Sequence, residues 1–370
     1  MEMYEQDHSF SRRKTARLTT ILAMLLLGLF AINSPATNAA TGSSSSTVSQ
    51  LQQSSNSAIA DVAAEANPAT VTVYNLQPQQ NQFGDQSSTD VVPVGSGSGY
   101  IIDETGHVVT NNHVVEGGAA FEVRFEDGTM VNATLVGTDA FQDVAVLQLD
   151  LSEGQTVPGT VQFGDSSELR VGDEVIAIGS PFGEYANTVT AGIVNAVDRS
   201  LDTGEGYLMP NLIQHDADIY PGNSGGPLFN DAGEVVGMNV AKAVAPTLGN
   251  TTEQTNIGFA IEGNEVKEIV DELIADGSVA RSYLGIRTEL TVNGQSIVSI
   301  EPNGPVADAG LQVGDVVLKV DGDVITEENP FINELIFDHK PGEVVDLSIE
   351  RNGESLTIPV TLGERPADTQ

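Results

Sequence analysis

The feature that most constrains the fold is a series of short apolar segments between residues 66 and 262, each rich in β-branched residues. Glycine, aspartate and asparagine separate the segments, and these residues favour turns. The segments read ATVTVYNL, GSGYIID, HVVTNNHVV, FEVRFEDG, VAVLQLD, EVIAIGS, VTAGIVNAV and GEVVGMNVA. Strands at such close spacing predict an all-β barrel or sandwich. The polar stretch from Gln77 to Asp90 predicts a long loop within the series.

The β region ends in the segment EGNEVKEIVDELIADG, from Glu262 to Gly277. Its apolar residues recur at the helical period, which predicts an amphipathic helix. They are Val266, Ile269, Val270, Leu273 and Ile274. From about Arg281 the pattern becomes strand, short helix, strands, helix and strand, which indicates one small α+β module.

The N-terminus has the order of a secretory signal peptide. A basic segment, SRRKTAR, precedes fifteen uncharged and mostly apolar residues from Leu18 to Ile32, and small residues follow around Ala39 and Ala40. A membrane-spanning helix needs about 20 residues, so cleavage is the expectation. An uncleaved anchor through residues 18–32 is the alternative. The Ser/Gln-rich stretch from residue 42 to 56 predicts a flexible spacer.

The chain is strongly acidic, with 52 acidic and 15 basic residues and a formal charge of −37 at pH 7. Such a surface repels nucleic acid and anionic membranes, so we expect no nucleic-acid partner. Adaptation to a salty medium would explain the acidity, because salt screens self-repulsion. Drift of composition in an acidic proteome would also explain it. Cysteine is absent, which excludes disulfides and thiolate chemistry.

Ser224 lies in YPGNSGGPL, among small and turn-forming residues. A plain hairpin loop would use the same residues. The alternative is a nucleophile whose bare neighbours let main-chain N–H groups converge on one space, as an oxyanion hole requires. That alternative requires a base and a carboxylate that orients the base.

Two residues upstream of Ser224 can meet this requirement. His113 ends a strand-like run in VVTNNHVVEGG, and Asp143 opens the apolar run in DVAVLQLD. Histidine, aspartate and serine in this order form one of the known chain orders of a catalytic triad. The imidazole would take the serine proton, and the carboxylate would fix the imidazole tautomer. The amides of Gly222, Asn223 and Ser224 are the candidate oxyanion donors.

Taken together, GSGSGYIIDETGHVVTNNHVV, DVAVLQLD, IGSPFGEYANTVTAGIVNAVDRS and GNSGGPL resemble the HtrA/DegP family of trypsin-like serine proteases. Three later segments resemble the PDZ domain that follows the protease in that family: RSYLGI, EPNGPVADAGLQVGDVVLKVDG and KPGEVVDLSIERNG. The resemblance covers about residues 68 to 362. It implies a mainly β fold, in which a chymotrypsin/trypsin-like double β-barrel precedes a small α+β PDZ domain. The active site would lie in the cleft between two six-stranded barrels.

The resemblance implies that His113 is the base, Asp143 its orienting partner and Ser224 the nucleophile. It also implies a homotrimer or larger assembly and unfolded polypeptides as substrates. We divide the chain accordingly into a signal peptide or membrane anchor (1–40), a Ser/Gln-rich linker (41–65), a trypsin-like protease domain (66–277) and a PDZ domain (278–365).

In the part that resembles a PDZ domain, the segment YLGI would form the carboxylate-binding loop. Its backbone amides would bind the C-terminus of a peptide that adds as a strand, and an apolar last residue is expected in that peptide. The loop residues are Tyr283, Leu284, Gly285 and Ile286. An ordinary strand start is the alternative interpretation.

We assign the primary specificity pocket to Asp218, Ile219 and Val240. Asp218 lies six residues before Ser224, where trypsin-like folds place the pocket floor and where the HtrA family usually has a small or apolar residue. A buried carboxylate there would favour Lys or Arg at the cleaved position. If the carboxylate instead points to solvent, Ile219 would shape a small apolar pocket.

Three polar residues near these positions need separate interpretation. Asp139 competes with Asp143 for the third triad role, and we expect it to be a solvated turn residue. His215 has no second histidine at ligand spacing, so we expect a surface strand position and no metal. Asn223 cannot form an ion pair with a newly cut N-terminus, which favours control by loop ordering over activation by cleavage.

The sequence therefore predicts an exported, ATP-independent serine endopeptidase that degrades misfolded proteins and needs no cofactor. Two alternatives stay open. One is a regulatory protease that cuts a membrane signalling protein, which an uncleaved anchor would favour. The other is a peptide-holding chaperone whose protease domain rests.

Overall fold

The computed structural model describes residues 58–78, 91–185, 187–204, 206–240, 257–292, 294–326 and 329–366. The predicted signal peptide or anchor and most of the predicted linker lie outside these ranges. Within them, no helix has the length and apolar character needed to cross a membrane. Residues 58–66 form helix α1, and Ile59 and Val62 pack on the core. The packed part of the chain thus begins before the predicted boundary at residue 66.

Six antiparallel strands close the first barrel, in the order β1-β2-β3-β6-β5-β4. Val71, Val73, Val123 and Leu147 are fully buried in its core, where β-branched and other apolar residues suit the pleated surface. A one-turn helix, α2 (Asn112–Val115), follows β3. The strands are β1 Thr70–Pro78, β2 Val91–Ile101, β3 His107–Thr110, β4 Ala120–Arg124, β5 Met130–Asp139 and β6 Val144–Leu149.

The second barrel is also closed by six antiparallel strands, in the order β10-β11-β12-β9-β8-β7. A short 3-10 helix, Pro181–Gly183, connects β7 to β8. The strands are β7 Glu174–Gly179, β8 Thr188–Asp202, β9 Leu208–His215, β10 Pro227–Phe229, β11 Val235–Val240 and β12 Gly258–Glu262. Two closed barrels remove the exposed edges that an open sheet would present.

Helix α3 (Gly263–Asp276) follows the second barrel, as the sequence predicts. Its buried face includes Val266, Ile269 and Leu273, which join one core cluster with residues of both barrels. Gly277 ends the helix in the left-handed conformation, and its N–H donates to the carbonyl oxygen of Leu273 over 2.9 Å. The helix therefore packs against both barrels.

The C-terminal module is a small α+β unit with strand order β14-β15-β16-β18-β19. Residues 302–310 form turns instead of the predicted short helix. The N–H groups of Ala307 and Ala309 donate to carbonyl oxygens three residues back, over 3.1 Å each, as in successive turns. The mainly β architecture with two barrels and a small α+β module is confirmed. The elements are β13 Ser282–Tyr283, β14 Ile286–Thr291, β15 Gly294–Ile300, β16 Val316–Val320, β17 Asp323–Val324, α4 Phe331–Phe337, β18 Val344–Arg351, β19 Glu354–Thr361 and β20 Gly363–Glu364.

Arg281 connects the C-terminal module to the first barrel. Its guanidinium forms an ion pair with Asp139, and the two side chains are 13% and 2% exposed. Arg281 also donates to the carbonyl oxygen of Ile336 over 3.3 Å and stacks over the Phe337 ring at 5.3 Å. The prediction that Asp139 is a solvated turn residue is wrong, because this ion pair holds the carboxylate inside the interface.

A second contact joins helix α4 to the second barrel. The N–H of Leu208 donates to Asn333 Oδ1 over 2.9 Å, and Asn333 Nδ2 donates to the carbonyl oxygen of Leu208 over 2.6 Å. Beside it, the Tyr207 ring lies 5.4 Å from Phe141 and 6.4 Å from Phe337, between ring centroids. The C-terminal module is thus fastened to both barrels.

Candidate functional site

His113 and Asp143 are brought together by the first barrel. His113 lies on α2 after β3, and Asp143 precedes β6, the neighbour of β3 in the sheet. His113 Nδ1 lies 2.7 Å from Asp143 Oδ2, and the His113 N–H donates to Asp143 Oδ1 over 2.8 Å. This pair of contacts orients the ring, so that Nε2 is the nitrogen able to accept a proton. The side chains are 27% and 10% exposed, and the carboxylate is therefore the more sheltered of the two.

The backbone of Asp143 is held as firmly as its side chain. Asp143 has φ +57°, an uncommon value for a residue other than glycine. Its carbonyl oxygen accepts from Asn111 Nδ2 over 2.8 Å and from the N–H of Asn112 over 3.1 Å. Both donors belong to the segment that leads into α2. These bonds fix the position of the carboxylate relative to His113.

Ser224 lies on the second barrel, before β10, and is buried apart from 6% of its surface. The N–H of Ser98 in β2 donates to the Ser224 carbonyl oxygen over 2.8 Å, which ties the serine to the first barrel. A Cβ added at Gly225 would lie 2.9 Å from the main-chain nitrogen of Asn111. The loop around Ser224 therefore packs directly against the segment that leads to His113.

The turn before Ser224 has the features of a type II turn. The N–H of Asn223 donates to the carbonyl oxygen of Tyr220 over 2.9 Å, Pro221 is the second residue, and Gly222 has φ +102°. A Cβ on Gly222 would lie 2.5 Å from the Ser180 carbonyl oxygen. Only glycine fits this position, for reasons of both conformation and space.

Two hydrogen bonds set the directions of the candidate oxyanion donors. The Pro221 carbonyl oxygen accepts from the N–H of Phe182 over 2.8 Å, and the Asn223 carbonyl oxygen accepts from the N–H of Gly226 over 2.9 Å. In a trans peptide the N–H points opposite to the C=O. The N–H groups of Gly222 and Ser224 therefore point away from these two partners. Such an arrangement can bind the oxygen of a tetrahedral intermediate.

The three residues assigned to the specificity pocket lie in different environments. Asp218 is exposed, and its carbonyl oxygen accepts from Thr190 Oγ1 over 2.9 Å. Ile219 is half-buried against a cluster that includes Ala177. Val240 is 2% exposed and belongs to the main core. The Asp218 carboxylate thus points toward solvent, as in the second of the two arrangements that the sequence allows. Residues 241–256, which follow Val240, lie outside the described ranges.

His215 differs from its predicted surface position. It ends β9 between Val194 and Gly258 of the neighbouring strands and is 0% exposed. A Cβ on Gly258 would lie 2.5 Å from the His215 ring, so glycine makes the space for it. Burial lowers the pKa of His215 to about 4, and the neighbouring Asn239 and Asp216 offset part of that effect. Among the described residues, no three acidic or histidine side chains are grouped to hold a metal ion.

The predicted carboxylate-binding loop connects β13 to the edge strand β14. Leu284 is 2% exposed, Gly285 has φ +69°, and the Gly285 carbonyl oxygen accepts from the N–H of Glu301 over 2.8 Å. The Tyr283 hydroxyl donates to Glu301 Oε1 over 2.5 Å. Burial raises the pKa of Tyr283, and its bond to Glu301 raises it further. Because β14 has a free edge within this sheet, a peptide could add beside it.

Sequence reasoning missed two residues that contact the turn before Ser224. They are Ser98, in the segment GSGSGY, and Phe182, in the segment SPFGEY. Both segments lie within motifs that carry the family resemblance, but neither residue type signals a role in a site. Their contacts depend on the approach of the two barrels, which no local pattern reports.

Comparison with known proteins finds relatives of both modules. The model of the trypsin-like peptidase domain matches residues 97–238, and that of the PDZ domain matches residues 282–362. Serine protease Do-like HtrA of Bacillus subtilis (strain 168) is 39% identical over 342 residues, which cover 85% of this chain and 74% of the relative. The protein of the same description from Lactobacillus helveticus is 37% identical over 357 residues, covering 86% and 85%.

Relatives with a longer chain and solved structures extend the comparison. A probable periplasmic serine endoprotease, DegP-like, of Brucella suis biovar 1 is 38% identical over 288 residues, and these cover 75% of this chain but 54% of the relative. The structure of HtrA-type protease AlgW with decapeptide has a TM-score of 0.62 and 30% identity, covering 83% and 99%. The serine endoprotease from Yersinia pestis has a TM-score of 0.61 and 30% identity, covering 83% and 98%.

Proposed function

Because the chain belongs to the HtrA/DegP family of trypsin-like serine proteases, we propose that it is a serine endopeptidase whose triad is His113, Asp143 and Ser224. The observation that carries the proposal is the double contact between His113 and Asp143, at 2.7 and 2.8 Å. It leaves the histidine oriented beside the packed serine turn. A hairpin loop without catalytic function would not require this pair.

The proposed reaction is acyl transfer. Ser224 Oγ attacks the carbonyl carbon of the scissile peptide bond, and its proton passes to His113 Nε2. The Asp143 carboxylate stabilises the imidazolium, while the N–H groups of Gly222 and Ser224 stabilise the oxyanion. His113 then gives the proton to the leaving amine, and an acyl-enzyme remains. Water, activated by the same histidine, hydrolyses the acyl-enzyme and restores Ser224.

We further propose that the enzyme works outside the cytoplasm on misfolded or damaged proteins. The N-terminal order of basic, apolar and small segments supports export, and the DegP-like relatives are described as probable periplasmic proteases.

The protease domain would end near residue 277 and the PDZ domain would span 278–365. Tyr283, Leu284, Gly285 and Ile286 would bind peptide C-termini. The structure of the similar AlgW protease with a decapeptide supports peptide binding in general. A homotrimer or larger assembly is proposed on the family resemblance.

A regulated, site-specific protease is the second candidate. The interface between the modules favours it, because Asn333 on α4 contacts Leu208 and α4 is an element of the module proposed to bind peptides. A ligand that moves α4 would also disturb this contact. Broad degradation of unfolded proteins without any added peptide would count against the regulated form.

The test is cleavage of reduced casein by the wild type and by Ser224→Ala, at low and high salt, with cut sites read by mass spectrometry. Cleavage by the wild type alone is expected. The same assay is repeated with added peptides that end in a free apolar residue. If neither protein cuts under any condition, the protease proposal fails and a holding chaperone takes its place.

The cut sites also test the specificity pocket. Because Asp218 is exposed, we expect cleavage after small apolar residues and not after Lys or Arg.

A further inference from the structure

Ser98 contacts both ends of the candidate oxyanion loop, although it belongs to the first barrel. It lies on β2 and is 0% exposed. Its hydroxyl donates to the Gly222 carbonyl oxygen over 2.6 Å and accepts from the N–H of Ser180 over 2.8 Å. Its main-chain N–H donates to the Ser224 carbonyl oxygen over 2.8 Å. One residue thus binds the loop before and after Asn223.

The direction of the hydroxyl bonds is determined by its partners. An amide N–H can only donate and a carbonyl oxygen can only accept, so the single hydroxyl proton of Ser98 must point to Gly222. The bonds therefore run from Ser180 through Ser98 to Gly222. Bonds that follow one another in this way strengthen each other in a buried site. Thr110 Oγ1 donates to the Ser98 carbonyl oxygen over 2.7 Å and holds the residue in place.

The bond to Gly222 acts on the peptide that lies between the two candidate donors. The N–H of Gly222 belongs to the preceding peptide and the N–H of Ser224 to the following one. The Pro-Gly sequence favours a type II turn, but glycine reaches other turn conformations at little cost, so the sequence does not hold the turn rigidly. Fixing the carbonyl oxygen of Gly222 restrains the rotation of this peptide, and the directions of the N–H groups on either side depend on that rotation.

We propose that Ser98 is a positioning residue, whose hydroxyl holds the turn before Ser224 in the conformation that aims the N–H groups of Gly222 and Ser224 at one oxyanion. The proposal rests on the function proposed above. Ser98 touches neither the substrate nor the reacting atoms. It links the conformation of the oxyanion loop to the contact between the two barrels.

The experiment compares Ser98→Ala and Ser98→Cys with the control Thr72→Val in the full chain. The thiol of cysteine fills the space but is a weak donor. Thr72 is buried opposite Ser98 on the neighbouring strand β1, and its hydroxyl donates to Ser180 Oγ over 2.7 Å and not to the turn before Ser224. Measurements are kcat and KM on a chromogenic peptide, the melting temperature, and the inhibition constant of a peptide aldehyde, whose adduct with the serine carries an oxyanion.

Removing one oxyanion donor typically lowers kcat by about 100- to 1000-fold, and misaligning the donors should cost roughly 10- to 100-fold. We expect both Ser98 variants to show that loss in kcat with KM within about 2-fold of wild type. The aldehyde should bind more weakly in the same proportion, while Thr72→Val stays near wild type. This pattern separates positioning from general destabilisation, which would lower the melting temperature of the Ser98 variants without a selective loss of kcat and aldehyde affinity in the folded protein.

Two other outcomes overturn the inference. If either folded Ser98 variant retains the kcat and aldehyde affinity of Thr72→Val, the hydroxyl does not position the loop. If the wild type lacks cleavage that depends on Ser224, the proposed function fails and the positioning role fails with it. The Cys variant keeps the first outcome accessible if Ser98→Ala does not fold.

Discussion

The N–H of Phe182 donates to the carbonyl oxygen of Pro221 over 2.8 Å and so joins the turn after β7 to the turn before Ser224. Phe182 contributes its main-chain N–H here, and the residue is 61% exposed. The neighbouring Gly183 carbonyl oxygen accepts from the Tyr74 hydroxyl and from Arg124 Nη2, each over 3.0 Å. The oxyanion turn is therefore anchored to the first barrel through two residues of that barrel.

Gly222→Ala should abolish most activity. The added methyl group would lie 2.5 Å from the Ser180 carbonyl oxygen at φ +102°, so the turn must change conformation and the Gly222 N–H must lose its direction. We expect kcat to fall by about 100-fold or more. Gly172→Ala is the matched control, because its φ is +99° and its Cβ would meet nothing within 4 Å. Equal kcat in the two variants would show that the loss does not arise from the crowded turn.

Asp143→Asn should lower kcat by roughly 10,000-fold while the protein stays folded. The amide cannot hold His113 in the tautomer that accepts the serine proton, and a triad of this type loses about that much. Asp103→Asn is the control, since Asp103 Oδ2 lies 2.6 Å from His107 Nδ1 in the same barrel. Steady-state kinetics with unfolding controls measure both variants. A similar loss in Asp103→Asn would contradict the assignment of the site.

Arg281→Met should destabilise the docked C-terminal module by about 3 kcal/mol, because it leaves the Asp139 carboxylate buried without its partner. The double variant Arg281→Met with Asp139→Leu should recover part of that loss. Urea unfolding of the wild type, both single variants and the double variant gives the coupling energy. Additive effects in this cycle would mean that the ion pair does not hold the interface.

The buried His215 should make stability depend on pH. Its pKa in the folded chain is about 4, below the ordinary value of 6.5. The unfolded chain therefore takes up the proton first as the pH falls. The stability from the neutral ring is fully present above pH 6.5 and is lost as the pH falls from 6.5 to 4, up to roughly 3 kcal/mol.

His215→Gln removes this titration and serves as the comparison. Urea denaturation at several pH values measures the unfolding free energy of both proteins. As the pH falls from 6.5 to 4, the wild type should lose stability relative to the variant. Groups that titrate in both proteins cancel in this difference. A difference that stays constant over the same range would refute the link to His215.

The sequence by itself determined the class of fold and the three residues of the proposed triad. Strand segments at close spacing predict an all-β barrel or sandwich, and the family resemblance of the sequence motifs implies the double barrel. A weak nucleophile such as Ser224 also demands a base and a carboxylate, and His113 and Asp143 precede it in the chain order of a known triad. The amphipathic pattern likewise predicted α3, because a helix buries residues at its own period.

Only the tertiary structure decided the positions that depend on contacts between distant segments. Asp139 is buried because Arg281 reaches it from the C-terminal module, and His215 is buried because Gly258 leaves space in the neighbouring strand. Ser98 acquires its contacts from the approach of one barrel to the other. Burial depends on the neighbours that pack around a group, and a hydrogen bond depends on its partner. A local sequence pattern predicts either one only when those neighbours or partners lie within the same segment.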